Sequence, residues 1–478
     1  MHLRRCLLAA IVAGAAVASH AADRGPSIAV WASSVDGTRR LTRQPDLEFD
    51  TSASANAVTI AVDPTQRFQT LLGLGSSLEP STCWNLSRLD ATQQVQTLSR
   101  LVSPTDGLGM NLMRICIGTP DFTGDPWYSY DDRPAGETDP ELRHFSIDRD
   151  RAYILPILQL ARKQNPELLF FASPWSPPGW MKTAGTLIGG QLRPECAEPY
   201  AEYFARFIEA YATAGVPIHA ITIQNEPGVD RAREKDPKWH YPSCHWTGEQ
   251  ERDFIRDHLG PVFRRHHLTT QIWTYDHNYN VKASGDDAGI AYPRTVLSDP
   301  AAAAFVDGVG FHGYVGEAAG MSVLHREFPD VPLHFTEGSV FGVRGGLELI
   351  DRLRHSASSY NAWVTLLDRQ GKPNNGPFAA SRTIITLDLE SHTVTENFDF
   401  FLYGQFMKFL PRGSVRIASS DAVRDCGNVA FETPAGDVVL VVVNAARQPQ
   451  PVQVQWHGRI AAAELPAGSA STFRWPAR

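Results

Sequence analysis

The sequence predicts an α/β fold, a (β/α)8 TIM barrel with an all-β sandwich side domain built from both chain ends. Three observations predict it. Between residues 65 and 412, eight short apolar or β-branched runs alternate with longer amphipathic stretches, the pattern of parallel strands each followed by a helix. Both flanks of that region read as strands and turns without a convincing helix. No dinucleotide or phosphate loop opens the first βα turn, which counts against a doubly wound open sheet.

Residues 1–21 read as a secretory signal. Arg4 and Arg5 form its charged region, residues 7–18 its apolar stretch, and Ser19, His20 and Ala21 a small-residue cleavage site. The apolar run is shorter than the ~20 residues a membrane span needs. Cleavage is therefore expected, with export to the periplasm or the extracellular space and no stable membrane insertion. Residues 22–64 supply the N-terminal sandwich strands, at 27–35 and 58–62, with a turn at Asp36 and Gly37. The barrel at 65–412 has its strands at 71–75, 112–117, 168–172, 220–224, 271–275, 309–312, 333–336 and 363–367. Of the helices between them, 200–214 places Tyr203, Phe204, Phe207, Ile208 and Tyr211 on one face, and 247–258 opens with Thr247 and Gln250 at capping-box spacing. Residues 413–478 complete the sandwich with strands at 415–418, 429–432, 438–443, 452–456 and 471–475.

Composition narrows the function. The 44 Lys plus Arg against 52 Asp plus Glu leave a net charge of −8, which repels phosphate backbones, so no nucleic-acid partner is expected. Charged residues at 20% and hydrophobic residues at 43% exclude a disordered chain. Once Cys6 leaves with the signal, Cys83, Cys116, Cys196, Cys244 and Cys426 remain, an odd number with no C-x-x-C spacing. They are expected to be buried small hydrophobes rather than zinc or redox ligands. The supply of 11 Trp, 13 Tyr and 23 Phe suits stacking on the flat apolar faces of sugars.

In such a barrel the catalytic side chains stand at the carboxyl ends of strands. Glu226 ends the fourth run, where Pro227 breaks the strand, and Glu337 ends the seventh, where Gly338 lets the backbone turn. Two carboxyls at one barrel mouth are what glycosidic cleavage requires: one protonates the leaving oxygen, and the other attacks the anomeric carbon or activates water. Asn225 is placed to bond a sugar hydroxyl. A proton donor keeps a raised pKa, which assigns Glu226 as acid/base, and Arg114 on the second strand is the cation expected to hold Glu337 ionised as nucleophile. Trp175 and Trp180 follow the third strand, Trp127, Tyr128 and Tyr130 the second, and His312 and Tyr314 the sixth, while Trp363 lies on the eighth. So many rings at one rim favour a sugar-stacking cleft.

These residues resemble glycoside hydrolase family thirty, the family of lysosomal glucosylceramidase, over essentially the whole mature chain. The resemblance runs through residues 68–75, Met113 and Arg114, Asp121 and Phe122, residues 172–177, Asn225 to Pro227, residues 311–314, Thr336 and Glu337, and residues 403–406. It implies a barrel with a side sandwich and a retaining, double-displacement mechanism without cofactor or metal. It also implies that Glu226 is the acid/base, Glu337 the nucleophile, and Asp121, Trp175, Asn225, His312, Tyr314 and Trp363 the residues that hold the sugar. Two positions depart from the glucosylceramidase pattern: Gly313 replaces a Trp, and Val364 replaces an Asn, which would widen or reshape the cleft mouth.

The expected protein is an exported monomer, a retaining β-glycosidase acting on a β-linked glycoside or glycan, in first place β-D-glucosides of the glucosylceramide or β-glucosidase type. An endo-β-1,6-glucanase or β-xylosidase of the same family is the alternative, and a non-catalytic carbohydrate-binding protein the alternative of another class. The run from Gly308 to Gly313 fits G-x-G-x-x-G but lies along a strand and opens no helix. His266 and His267 lack any H-E-x-x-H context.

Overall fold

Eight parallel strands build the barrel: Gly73–Gly75, Leu112–Ile117, Leu169–Pro174, Ala220–Thr222, Gln271–Asn278, Gly308–His312, Leu333–Glu337 and Ala357–Asn361. They belong to a computed structural model that describes residues 26–50, 57–279, 288–339, 341–380, 382–421 and 425–477; the signal expected at 1–21 lies outside these. The first and second strands close the ring through the Asn111 N–H on the Leu74 carbonyl (3.0 Å) and the Arg114 N–H on that of Ser76 (2.9 Å). The backbones meet so closely there that a Cβ at Gly75 would stand 1.9 Å from the Leu112 carbonyl oxygen. Only glycine fits.

The eighth strand differs from expectation. It spans Ala357–Asn361, a small polar run, and not residues 363–367. Barrel geometry accounts for this, because these positions bond inward instead of packing: Asn361 Nδ2 donates to the carbonyls of Ser76 (3.1 Å) and Leu112 (2.7 Å), and Ser359 Oγ lies 3.0 Å from His334 Nδ1. The apolar run beginning at Trp363 leaves the barrel and enters a small sheet through Leu366–Asp368. Trp363 thus stands just beyond a strand end.

Both chain ends build the sandwich. The strand Val58–Thr70 pairs parallel with Gln450–Trp456 through its first residues and antiparallel with Val415–Ser419 through its later ones, so it serves both layers. Asp437–Asn444 shows why residues 438–443 are apolar without interruption. Val438, Leu440 and Val442 face the sandwich core beside Phe473 and Trp475, whereas Val439, Val441 and Val443 face the barrel's core. Two strands escape the sequence pattern, Thr42–Leu47, which is polar and half exposed, and Arg459–Leu465, which is alanine-rich. Among the described residues no helix is long and apolar enough to cross a membrane. Cys83, Cys116, Cys196, Cys244 and Cys426 are all free and buried.

The helix Pro80–Ser87 after the first strand is capped by Glu79, which accepts from the Thr82 N–H (3.0 Å) and Thr82 Oγ1 (2.6 Å). Its other carboxyl oxygen has no partner among the described residues, and burial pushes its pKa from 4.5 up to about 7 against the pull of its hydrogen bonds. A folded pKa above the unfolded one means stability that is full below pH 4.5 and lost as the pH rises through about 7. Glu79→Gln keeps the capping acceptor without the charge. Thermal melts should show Tm raised by about 2–4 °C near pH ~8 and unchanged near pH ~4.

Candidate active site

The second strand carries Arg114 into the barrel, where its guanidinium is wholly buried and therefore must be paired. Nη1 bonds Glu337 Oε2, Nη2 donates to Asn225 Oδ1 and Asp276 Oδ2 (2.8 Å each), and Nε donates to Ser173 Oγ (3.3 Å). The rings of Trp175 and Trp363, stacked with centroids 5.3 Å apart, cover it at 4.9 and 5.5 Å. Glu337 is held at both oxygens, because Tyr314 OH donates to Oε1 at 2.8 Å.

Glu226 follows the fourth strand in the left-handed region, φ 51°, with its N–H on the Asp276 carbonyl at 3.0 Å. A side chain in that conformation costs roughly 1–2 kcal/mol, offset here by what the turn presents. Its Oε1 lies 3.4 Å from His312 Nδ1 and 3.6 Å from His277 Nδ1. The other nitrogen of His312, Nε2, is 3.0 Å from Asp276 Oδ1 and 3.7 Å from Glu337 Oε2. The two glutamates therefore flank one imidazole, and both line a single cavity of about 530 Å³.

Burial disfavours a charged His312, but the carboxylates of Glu337 and Asp276 more than offset it and raise its pKa to about 9. Burial pushes Glu226 up, yet the His312 imidazole, with Nδ1 3.4 Å from Oε1, and His277 beside it hold it down at about 2. The raised pKa expected for Glu226 is thus corrected: the cationic form of His312 beside it favours the ionised carboxylate. Asp121 goes the other way, up to about 8, through burial and the charges of Glu337 and Glu226.

Of the residues singled out in the sequence, Asp121, Trp175, Asn225, Glu226, Tyr314, Glu337 and Trp363 line this cavity, and Arg114 and His312 are in contact with its carboxylates from beneath. Trp127 packs against the cluster that holds Trp175 and Trp363 without lining the cavity, and the other aromatics are elsewhere. Tyr128 and Tyr130 donate to buried Asp150 (2.6 Å each), and Trp180 Nε1 donates to Asp131 Oδ2 (3.0 Å). Nor does Gly313 shape the mouth: a Cβ there would point at Arg352 Nη2 (2.5 Å) and the Phe335 ring (2.9 Å), on the outer side of the barrel.

Sequence reasoning missed Asp276, His277 and Asn278. Asp276 is fully buried and gathers Arg114, Ser173, Thr222, Thr336 and His312, and the positive charge of Arg114 and His312 holds it well below the usual carboxylate range against burial. Asn278 Oδ1 accepts the N–H groups of Tyr314 (2.9 Å) and Val315 (3.1 Å), fixing the loop that brings Tyr314 to Glu337. The signal was available: a carboxylate at the end of a barrel strand, the criterion that selects Glu226.

Residues 71–406 match the model of the glycosyl hydrolase family 30 TIM-barrel domain, and residues 413–473 that of the glycosyl hydrolase family 30 beta sandwich domain. The chain belongs to glycosyl hydrolase family 30. Endo-1,6-beta-D-glucanase of Neurospora crassa is 31% identical to it over 404 residues, 80% of each chain. Putative glucosylceramidase 3 of Caenorhabditis elegans is 31% identical over 417 residues, 81% of this chain and 76% of the relative. A solved endo-beta1,6-glucanase superposes with a TM-score of 0.82 at 27% identity, covering 94% of this chain and 99% of the other. As a family 30 member the chain is a glycoside hydrolase, and the non-catalytic alternative falls away.

Proposed function

We propose that this family 30 hydrolase cleaves β-D-glucosidic bonds with retention, with β-1,6-linked glucan as its first substrate class. The observation that carries the reading is the pair of carboxylates facing one cavity from either side of the His312 ring. Glu226 takes the proton stored on His312 and passes it to the glycosidic oxygen as the bond to the anomeric carbon breaks. Glu337 forms the new bond to that carbon from the opposite face. Water then attacks the glycosyl-enzyme, loses its proton to Glu226, and releases the sugar. Trp175 and Trp363 form the wall against which a sugar face stacks, and Asn225 and Asp121 are placed for its hydroxyls.

The relatives named as 1,6-glucanases, in sequence and in structure, support the linkage. So does the rim, where Asp230, Arg231 and Glu234 offer hydrogen-bonding partners to a neighbouring sugar. Glucosylceramide is the second reading, favoured by the apolar lip of Val229, Phe378, Ala379 and Ala380 and by the glucosylceramidase relative. Export is inferred from the signal-like residues 1–21.

Hydrolysis of β-1,6-glucan, micellar glucosylceramide, aryl β-glucoside and aryl β-xyloside, with the first anomer identified by NMR, tests this. The glucan and aryl glucoside should turn over with the β anomer appearing first, and the xyloside, lacking the hydroxymethyl group, about 100-fold more slowly. An α anomer released first, or a xyloside as fast as the glucoside, would defeat the proposal.

A further inference from the structure

We propose that Glu226, His277 and His312 form a binding site for a divalent transition-metal ion of the zinc class, and that its occupation silences the enzyme. One ligand atom from each residue lies within 4.8 Å of the other two. The Nδ1 atoms of His312 and His277 converge on the same oxygen, Glu226 Oε1, at 3.4 and 3.6 Å. Tetrahedral zinc with bonds of ~2.0–2.1 Å separates its ligand atoms by about 3.3–3.4 Å, and the two imidazole–carboxylate spacings, 3.4 and 3.6 Å, already match this to within a few tenths of an ångström.

Two further observations point to a ligand at this spot. His312 Nδ1 and both ring nitrogens of His277 have no hydrogen-bond partner among the described residues, although His277 is 3% exposed and His312 wholly buried. Unpaired buried imidazole nitrogens are costly unless something occupies them. In addition, Asp276 Oδ1 engages His312 Nε2 at 3.0 Å, which leaves Nδ1 as the free donor and makes the carboxylate–histidine–metal arrangement of protein zinc sites. Glu226 and His277 both border the cavity, so a fourth position opens to water.

Two imidazoles and one carboxylate suit zinc, copper or nickel rather than calcium or magnesium. An ion here replaces the proton shared by Glu226 and His312 and engages the lone pairs that would deliver or accept it. The silencing rests on Glu226 being the acid/base; the binding does not.

The test uses the whole mature chain, free of any polyhistidine tag and dialysed against chelator. Calorimetric titration with zinc chloride should give one ion per chain, and hydrolysis of β-1,6-glucan should fall with the same apparent constant and recover with EDTA. His277→Gln should bind zinc about 100-fold more weakly, as should the isosteric Glu226→Gln, each checked for folding by its melting curve without metal. With copper, electron paramagnetic resonance should show two imidazole nitrogens in the wild type and one in His277→Gln. Absence of saturable binding in millimolar zinc, or an unchanged affinity in His277→Gln, would overturn the site. Stoichiometric binding with undiminished glucan hydrolysis would overturn the silencing and count against the role of Glu226, while the site itself stood.

Discussion

Glu337→Gln is expected to lower kcat on aryl β-glycosides by about 10⁴-fold or more, the scale of losing a covalent nucleophile. The protein should still fold. A glutamine keeps a carbonyl oxygen for Arg114 Nη1, its amide can donate to Tyr314 OH, and Asp276 remains as the counter-charge of Arg114. The contrast with Glu226→Gln makes the test specific. Removing a proton donor costs about 10²–10⁴-fold where the leaving oxygen is a poor one, and little where the leaving group departs unaided. Glucan hydrolysis should therefore suffer far more in Glu226→Gln than the first step with an activated aryl glucoside, which burst kinetics would expose as accumulating glycosyl-enzyme. In Glu337→Gln both substrate classes should fail together. Equal losses for the two classes in Glu226→Gln would reverse or void the assignment.

The architecture was legible where strands are buried on both faces, because such strands are near-continuously apolar; Leu112–Ile117, interrupted by Arg114, and Asp437–Asn444 are the clearest cases. It was illegible where a strand trades packing for hydrogen bonds. Ala357–Asn361 has no strand composition, and the run that does, beginning at Trp363, is loop and small sheet packed on the barrel's end. The two glutamates stood out because Pro227 and Gly338 mark strand ends in the sequence itself. Asp276 also ends a strand run, but no proline or glycine marks that end, and backbone geometry hides where its side chain points. The ladder between the fifth and sixth strands shifts register between Tyr275 and His277, with Tyr275 and Asp276 at φ 77° and 65°. That bulge re-aims a residue which regular alternation would point away from Arg114 and His312, and periodicity cannot reveal an inserted residue. Nor can spacing reveal the Glu226–His277–His312 cluster, whose members come from three strand ends.

Asp276→Asn should uncouple folding from catalysis. The carboxylate accepts on both sides: Oδ2 takes Arg114 Nη2 (2.8 Å), Ser173 Oγ (2.9 Å) and Thr222 Oγ1 (2.7 Å), and Oδ1 takes Thr336 Oγ1 (2.6 Å) and His312 Nε2 (3.0 Å). An amide cannot face the guanidinium, so its oxygen takes the Oδ2 side and its NH₂ turns to His312. Thr336 can then donate to the Phe311 carbonyl at 3.2 Å instead. His312 must accept at Nε2, which makes the imidazole neutral with its single proton on Nδ1 and removes the cation beside Glu226 and Glu337. The buried guanidinium also loses one of its two counter-charges, a change of about 3–5 kcal/mol when a buried pair is broken outright and less here, because Glu337 remains. The variant should thus melt several degrees lower yet fold, while kcat on β-1,6-glucan falls by about 10²-fold or more, the scale of a displaced catalytic group. Nitrogen-15 NMR of the imidazoles should report Nδ1–H in place of the doubly protonated ring. A variant that melts lower but turns over glucan within a few-fold of wild type would show that Asp276 only braces the barrel, and that the charge on His312 is not what readies Glu226.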